Sequence, residues 1–424
     1  MVLSRQLSWG EAMTGPPIPA ASRALNIEYA IRDVVVPAMA LEAEGHEILK
    51  LNIGDPIAYP GLPTPQHMVD AYARAVQEGM NGYSASYGLP ALRDAVAADE
   101  RRKGWPARPD DIYVCHGVTE ALQLLFGGIL EEGDVVLAPG PHYPPYMAYP
   151  QMYGASTEEY RLDPDNAWRI DIEDIERRMT DRVRLLVLIN PNNPTGNVAG
   201  AEDIDAILRI AARWPNCIVL ADEIYDGLDL SGTHVSVASR SADVPVITMN
   251  GVSKVFFAPG WRIGWFGLHD PTSRLNQVRD ALERLLRSRL CASTPAQMGY
   301  LAGLQGDRSW MQPYIAKVRQ QRDRCIERIQ SIEGLEVQAP GGAFYMFIRL
   351  TDDLWANDDK AFVLGLLHEE HVLLVHGSGF SKQRGQGHVR LVYLADVEVL
   401  DEAFDRIDRF LKRHRAVHGK EMHS

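Results

Sequence analysis

Between about Asp111 and Gly267, short β-branched runs alternate with helical stretches, and that alternation leaves few folds open. The runs are Ile112–His116, Val135–Ala138, Val183–Ile189, Cys217–Ala221, Val244–Met249 and Ile263–Gly267. Several are apolar at every position rather than every second one, which marks strands covered on both faces of a largely parallel sheet. Segments such as Thr119–Leu130 and Glu202–Arg213 supply the covering helices. Repeated βα units of this kind predict a doubly wound α/β sheet, with ligands gathering at the carboxyl ends of its strands.

The last third of the chain changes character. A helical run, Ser309–Ser331, leads to a strand at Phe344–Leu350, a helix at Lys360–Glu370, strands Val372–Val375 and Val389–Tyr393, and a final helix from Val399. That is a smaller α+β unit, and the helix near Tyr29–Glu44 with the strand Ile48–Ile53 is assigned to it. The expected division is an arm at 1–24, an N-terminal part of the small domain at 25–58, a large domain at 59–305 and a C-terminal small domain at 306–424. A cleft should separate the two units.

Composition narrows the partners. With 43 basic and 56 acidic residues the net charge is −13, which argues against nucleic acid as the main partner. No stretch of about 20 uninterrupted apolar residues could cross a membrane as a helix. Cys115, Cys217, Cys291 and Cys325 are too scattered for a zinc site, and together with the lack of an apolar secretory segment they read as reduced thiols of a cytoplasmic protein.

Chemistry collects where strands end. Val183–Ile189 runs into Asn190-Pro191-Asn192-Asn193-Pro194-Thr195-Gly196, a forced turn that offers Asn193. Cys217–Ala221 runs into Asp222-Glu223-Ile224-Tyr225, where a partly buried Asp222 needs a partner. Val244–Met249 is followed by Ser253-Lys254, and desolvation there would free the lysine amine as a nucleophile able to form a Schiff base. Gly260-Trp261-Arg262-Ile263-Gly264 presents an arginine on a tight turn, and Gly117-Val118-Thr119 opens a helix whose N–H groups suit a phosphate. Taken singly, these read as well as a turn, a helix cap, a surface lysine and an ordinary helix start. Two decoys read as structural: His368-Glu369-Glu370-His371 has the wrong histidine spacing for zinc, and Gly377-Ser378-Gly379 lacks the third glycine of a dinucleotide loop.

In this order and spacing, the sequence resembles the class I/II aminotransferases, the pyridoxal-phosphate enzymes of fold type I. The resemblance rests on Asn190–Gly196, Asp222–Tyr225, Ser253-Lys254, Gly260–Gly264, the stretch from Tyr83 through Gly88 to Arg93, and Arg390. It covers about Ile27 to Leu411 and is nearest to the alanine branch, through Leu49–Pro56, Tyr143–Tyr146 and Arg289–Gln297. It implies a mostly parallel central sheet flanked by helices, a smaller α+β domain, pyridoxal 5′-phosphate as cofactor, and an amino acid and a 2-oxo acid as partners. Lys254 is implied as the cofactor-bound lysine and proton shuttle, Asp222 as the partner of the ring nitrogen, Asn193 and Tyr225 as hydrogen-bond partners of the ring oxygen, and Tyr143 as the stacking ring.

Val118, Thr119, Ser253 and Arg262 are implied as the phosphate site, with Pro259 standing where many relatives carry Thr. Tyr83 is implied to reach the phosphate of a second subunit, hence a homodimer. Arg390 is implied as the clamp on the substrate carboxylate beside Gly54, with Tyr29 and Arg32 as candidates to close over the substrate. The expected reaction passes the amino group of L-alanine to 2-oxoglutarate. An aminotransferase for aspartate, aromatic or branched-chain donors, or a β-lyase on the same cofactor, is the alternative. A ligand-sensing regulator would need a basic DNA-binding segment that the chain lacks.

Overall fold

The computed structural model describes residues 18–25, 27 and 34–421. Its largest element is an eight-stranded sheet in the order Ile112–Cys115, Gly264–His269, Val246–Gly251, Ile218–Asp222, Val183–Ile189, Val135–Gly140, Ser156–Asp163, Arg169–Ile170. The strands from Val246–Gly251 to Ser156–Asp163 pair in parallel. The sheet is thus mostly parallel, as the sequence suggested, with antiparallel members toward its ends: Gly264–His269 runs antiparallel to both of its neighbours and Arg169–Ile170 to Ser156–Asp163. The segment from Val252 to Ile263 holds only a short 3₁₀ turn, Pro259–Trp261. A parallel return needs a longer crossover, usually a helix, and an antiparallel one does not.

The all-apolar strands behave as their composition requires. In Val183–Ile189 every residue but Arg184 is buried. Leu185, Val187 and Ile189 pack into one hydrophobic cluster, and Leu186 and Leu188 into the cluster on the opposite face. Each such aliphatic side chain contributes about 1.5–3 kcal/mol on burial. The strand Ser156–Asp163 escaped the sequence reading because it lies toward the sheet edge, alternates exposed with shielded positions, and carries charge.

The later part builds a separate antiparallel sheet in the order Leu335–Val337, Tyr345–Leu350, His388–Val392, Val375–His376. The run expected as one strand, Val372–Val375, is divided: Val372–Leu373 pairs in parallel with Leu49–Lys50, and the chain then joins the antiparallel sheet. This pairing brings the chain just after Lys50 against the strand that carries Arg390, where Val392 N donates to Leu51 O at 2.8 Å. Among the described residues, no helix is long and apolar enough to cross a membrane.

Candidate active site

The parallel strands deliver their last residues to one place. Asp222 ends Ile218–Asp222, Asn193 follows Val183–Ile189, and Ser253 and Lys254 follow Val246–Gly251. These residues, with Gly54, Val118, Thr119, Tyr143, Tyr225, Arg262 and Arg390, line a cavity of about 440 Å³. Eleven expected site residues therefore meet in a single cavity. Tyr83 is not among its lining residues and is 84% exposed. Tyr29 and Arg32 lie outside the described residues.

Lys254 extends its amine to Gly54 O at 2.6 Å. Burial pushes its pKa down to about 8, helped by the positive charges of Arg390 and Arg262 and opposed by Asp55 and Asp222. An amine with that pKa is partly neutral near pH 8, as a nucleophile or base must be. Asp222 is 4% exposed. Burial pushes its carboxyl up to about 6, while the Tyr146 hydroxyl, the Ile224 N–H and the Lys254 cation pull it down. Near pH 8 it is an anion in a dry place, poised for a cationic partner.

An anion cradle lies at the N-terminus of the helix Gly117–Ile129, where Val118, Thr119, Ser253 and Arg262 line the same cavity and Arg262 reaches the carbonyl that precedes the helix. Two glycines make it possible. Gly117 sits at φ +76°, and a Cβ there would lie 2.4 Å from Arg262 Nη2. A Cβ on Gly264 would lie 2.7 Å from Val118 N. Arg262 is held by the carbonyls of Pro259 and His116, at 3.0 and 3.4 Å. Backbone N–H groups, a hydroxyl and a guanidinium are the donor set a phosphate takes. The cavity therefore fits pyridoxal 5′-phosphate: an anion cradle at one end, an amine within, and a buried carboxylate for a protonated ring nitrogen.

Arg390 occupies another wall. It is 2% exposed, lies between the rings of Tyr345 and Phe380 at 4.6 and 4.7 Å, and donates to Asn193 Oδ1 at 3.0 Å and Asn52 O at 2.7 Å. Its Nε has no partner among the described residues. Tyr345 hydrogen-bonds Tyr225 through their hydroxyls at 2.7 Å, and a Cβ on Gly54 would lie 2.3 Å from the Tyr345 hydroxyl. A guanidinium desolvated between two rings suits a carboxylate, which it can hold with parallel hydrogen bonds.

Sequence reasoning missed Tyr345, Phe380, Asn52 and Tyr146. Tyr345 sits inside an apolar run that looks like ordinary core, and only the pairing of its strand with the strand of Arg390 places it beside the arginine; Phe380 is a lone aromatic in the Gly- and Ser-rich turn after His376, where nothing local points to Arg390. Tyr146 carried a signal that went unused. It follows Tyr143 by three residues, one helical turn, so both can serve the same site.

Comparison with known proteins agrees with this geometry. The family profile for "Aminotransferase class I and II" matches residues 46–407. The glutamate-pyruvate aminotransferase AlaA of Haemophilus influenzae is 35% identical over 404 residues, covering 94% of this chain and 99% of that protein. The alanine aminotransferase of Mycobacterium tuberculosis is 34% identical over 423 residues, covering 98% of each. Among solved structures, the alanine aminotransferase from Pyrococcus furiosus superposes with a TM-score of 0.91 at 46% identity, over 93% of this chain and 100% of that one.

Proposed function

We infer the reaction from one premise: this chain belongs to the class I and II aminotransferase family, and is an enzyme that uses pyridoxal 5′-phosphate. The reading it supports best is transfer of the amino group of L-alanine to 2-oxoglutarate, giving pyruvate and L-glutamate in two half-reactions. The observation that carries it is a single cavity holding Lys254, Asp222 and Arg390 in a chain matched over nearly its whole length by proteins named for that exchange.

Pyridoxal 5′-phosphate, when bound, supplies an aldehyde for a primary amine and a ring that draws electrons from the substrate's α-carbon. Lys254 would hold that aldehyde covalently and then, as a neutral amine, move the proton at the substrate's α-carbon. Asp222 would keep the ring nitrogen protonated, because a buried anion raises the proton affinity of a neighbouring base. Asn193 and Tyr225 would meet the ring oxygen, Tyr143 would cover a ring face, and Val118, Thr119, Ser253 and Arg262 would take the phosphate. Arg390 would fix the substrate carboxylate and so orient the Cα–H bond toward Lys254.

Gly117→Ala tests the phosphate cradle. The methyl group would collide with Arg262, and a non-glycine residue at that φ costs about 1–2 kcal/mol. The variant should bind the cofactor roughly 10- to 100-fold more weakly, as measured by equilibrium dialysis at pH 8. Unchanged affinity would move the phosphate elsewhere.

The donor is tested by a panel of amino acids with 2-oxoglutarate and pyruvate as acceptors. L-alanine with 2-oxoglutarate, or L-glutamate with pyruvate, should give the highest kcat/KM. A clear preference for aspartate or an aromatic donor would replace alanine with that donor. Release of pyruvate and ammonia without an acceptor would make the enzyme a lyase. We also place the protein in the cytoplasm, which free thiols at all four cysteines support, and as a homodimer, which an exposed Tyr83 supports; the domain limits given above are kept.

A further inference from the structure

We infer that Tyr146 is a positioning residue: its hydroxyl fixes one oxygen of Asp222 and keeps that carboxyl ionised for the cofactor's ring nitrogen. The inference rests on the assignment of Asp222 made above. Tyr146 is fully buried and donates to Asp222 Oδ2 at 2.8 Å. Among the described residues, the other oxygen, Oδ1, receives only the Ile224 N–H at 3.4 Å, which leaves it for the cavity. Tyr146 does not line the cavity itself; whatever it does there, it does through Asp222.

The local chain explains how it gets there. Tyr146 N donates to Tyr143 O at 3.1 Å, so one short turn sends Tyr143 to the cavity and Tyr146 behind Asp222. Pro144 and Pro145 restrict the backbone of that turn. Thr157 Oγ1 donates to Tyr146 O at 2.7 Å and ties the turn to the sheet. The ring packs against Phe126, with centroids 6.4 Å apart. The hydroxyl is thus held by the fold and waits for no rearrangement.

The ionisable groups around the pair are few. Lys254 and Tyr225 face Asp222 from the cavity side, and only the lysine favours the anion. Tyr143 lies near Tyr146, and the His142 ring sits 6.5 Å from it. Burial raises the Asp222 carboxyl, and the Tyr146 hydroxyl is the strongest force opposing it. Water cannot replace that bond at a site this enclosed, so losing the hydroxyl leaves Oδ2 unsatisfied. A donor to the charged form lowers an acid's pKa, so its loss raises it. Asp222 would then take up a proton at higher pH, and the acidic limb of activity would move up.

The test is Tyr146→Phe in the holoenzyme, which keeps the ring and removes only the hydroxyl. The single-turnover rate with L-alanine is followed from pH 5.5 to 9.5 beside wild type and Asp222→Asn. A lost hydrogen bond to a charged group should move the acidic limb up by about one to two pH units, with the rate returning near wild type at about pH 9. Cofactor retention, by equilibrium dialysis, should weaken below pH 7 and recover as pH rises, and it serves as the readout if the variant is poorly loaded at neutral pH. A profile that does not move, or a rate or retention lowered equally at every pH, would overturn the inference and leave Tyr146 as packing. Asp222→Asn should be slow at all pH values; if it matches wild type, the assignment of Asp222 itself fails.

Discussion

Lys254→Ala is expected to lower transamination by at least about 10⁴-fold, the upper range for removing a positioned acid or base. It should also abolish the absorbance of covalently held cofactor. Two physical roles meet in this side chain. Its pKa near 8 supplies a neutral amine at working pH, and burial is the chief cause of that value. Its position in a cavity with a carboxylate clamp lets one amine both hold the cofactor and handle the substrate's proton.

The two roles can be separated by adding a small amine to the variant. Methylamine or ammonia should restore part of the proton transfer and none of the attachment. Borohydride reduction followed by mass spectrometry gives the decisive readout. Wild type should be tagged at Lys254 and the variant at no lysine. A tag at another lysine in the variant would show that the attachment site was misassigned.

How much of this was legible in the sequence depends on how local the signal is. Asn193, Asp222 and Lys254 could be read because each follows an apolar run, and parallel strands bring such ends to one edge of a sheet. The interior of the large sheet was legible for the same reason: a strand such as Val183–Ile189 announces burial on both faces. The strand Ser156–Asp163 was not, because its charged, alternating sequence is equally good as a loop and only pairing with Val135–Gly140 makes it a strand.

The residues that hold the site's own side chains in place were hidden for a different reason. Tyr146 reaches Asp222, Tyr345 reaches Tyr225 and Arg390, and Asn52 lends its carbonyl to Arg390. Each of these contacts joins residues far apart in the chain, and no spacing rule connects them. Only the turn Tyr143-Pro144-Pro145-Tyr146 carried its own evidence.

Arg390→Lys should cut kcat/KM for L-alanine by about 10²- to 10³-fold while leaving the spectrum of the bound cofactor unchanged. The change keeps the charge and loses the shape. Wild-type Arg390 spends one amino group on Asn193 Oδ1 and another on Asn52 O, and two aromatic rings hold its plane. A carboxylate can then be met by a rigid fork. A lysine offers a single mobile ammonium, shorter and more strongly hydrated, at a position where the native arginine is 2% exposed. It would also leave Asn193 Oδ1 or Asn52 O without a donor, and a buried acceptor left unsatisfied costs about 1–3 kcal/mol.

The loss should fall on both half-reactions, because the amino acid and the 2-oxo acid carry the same carboxylate next to the reacting carbon. Ethylamine, which has no carboxylate, should react equally poorly with both enzymes, so the ratio of alanine to ethylamine rates isolates what the fork contributes. The net charge of −13 sharpens the comparison. An acidic protein repels the anionic 2-oxo acids at long range, and raising the salt should screen that repulsion alike in both enzymes, while the deficit of the variant, set by a desolvated contact, should persist. A deficit that vanished in high salt would mean Arg390 acts by its charge at a distance, and the carboxylate would then have to be held elsewhere.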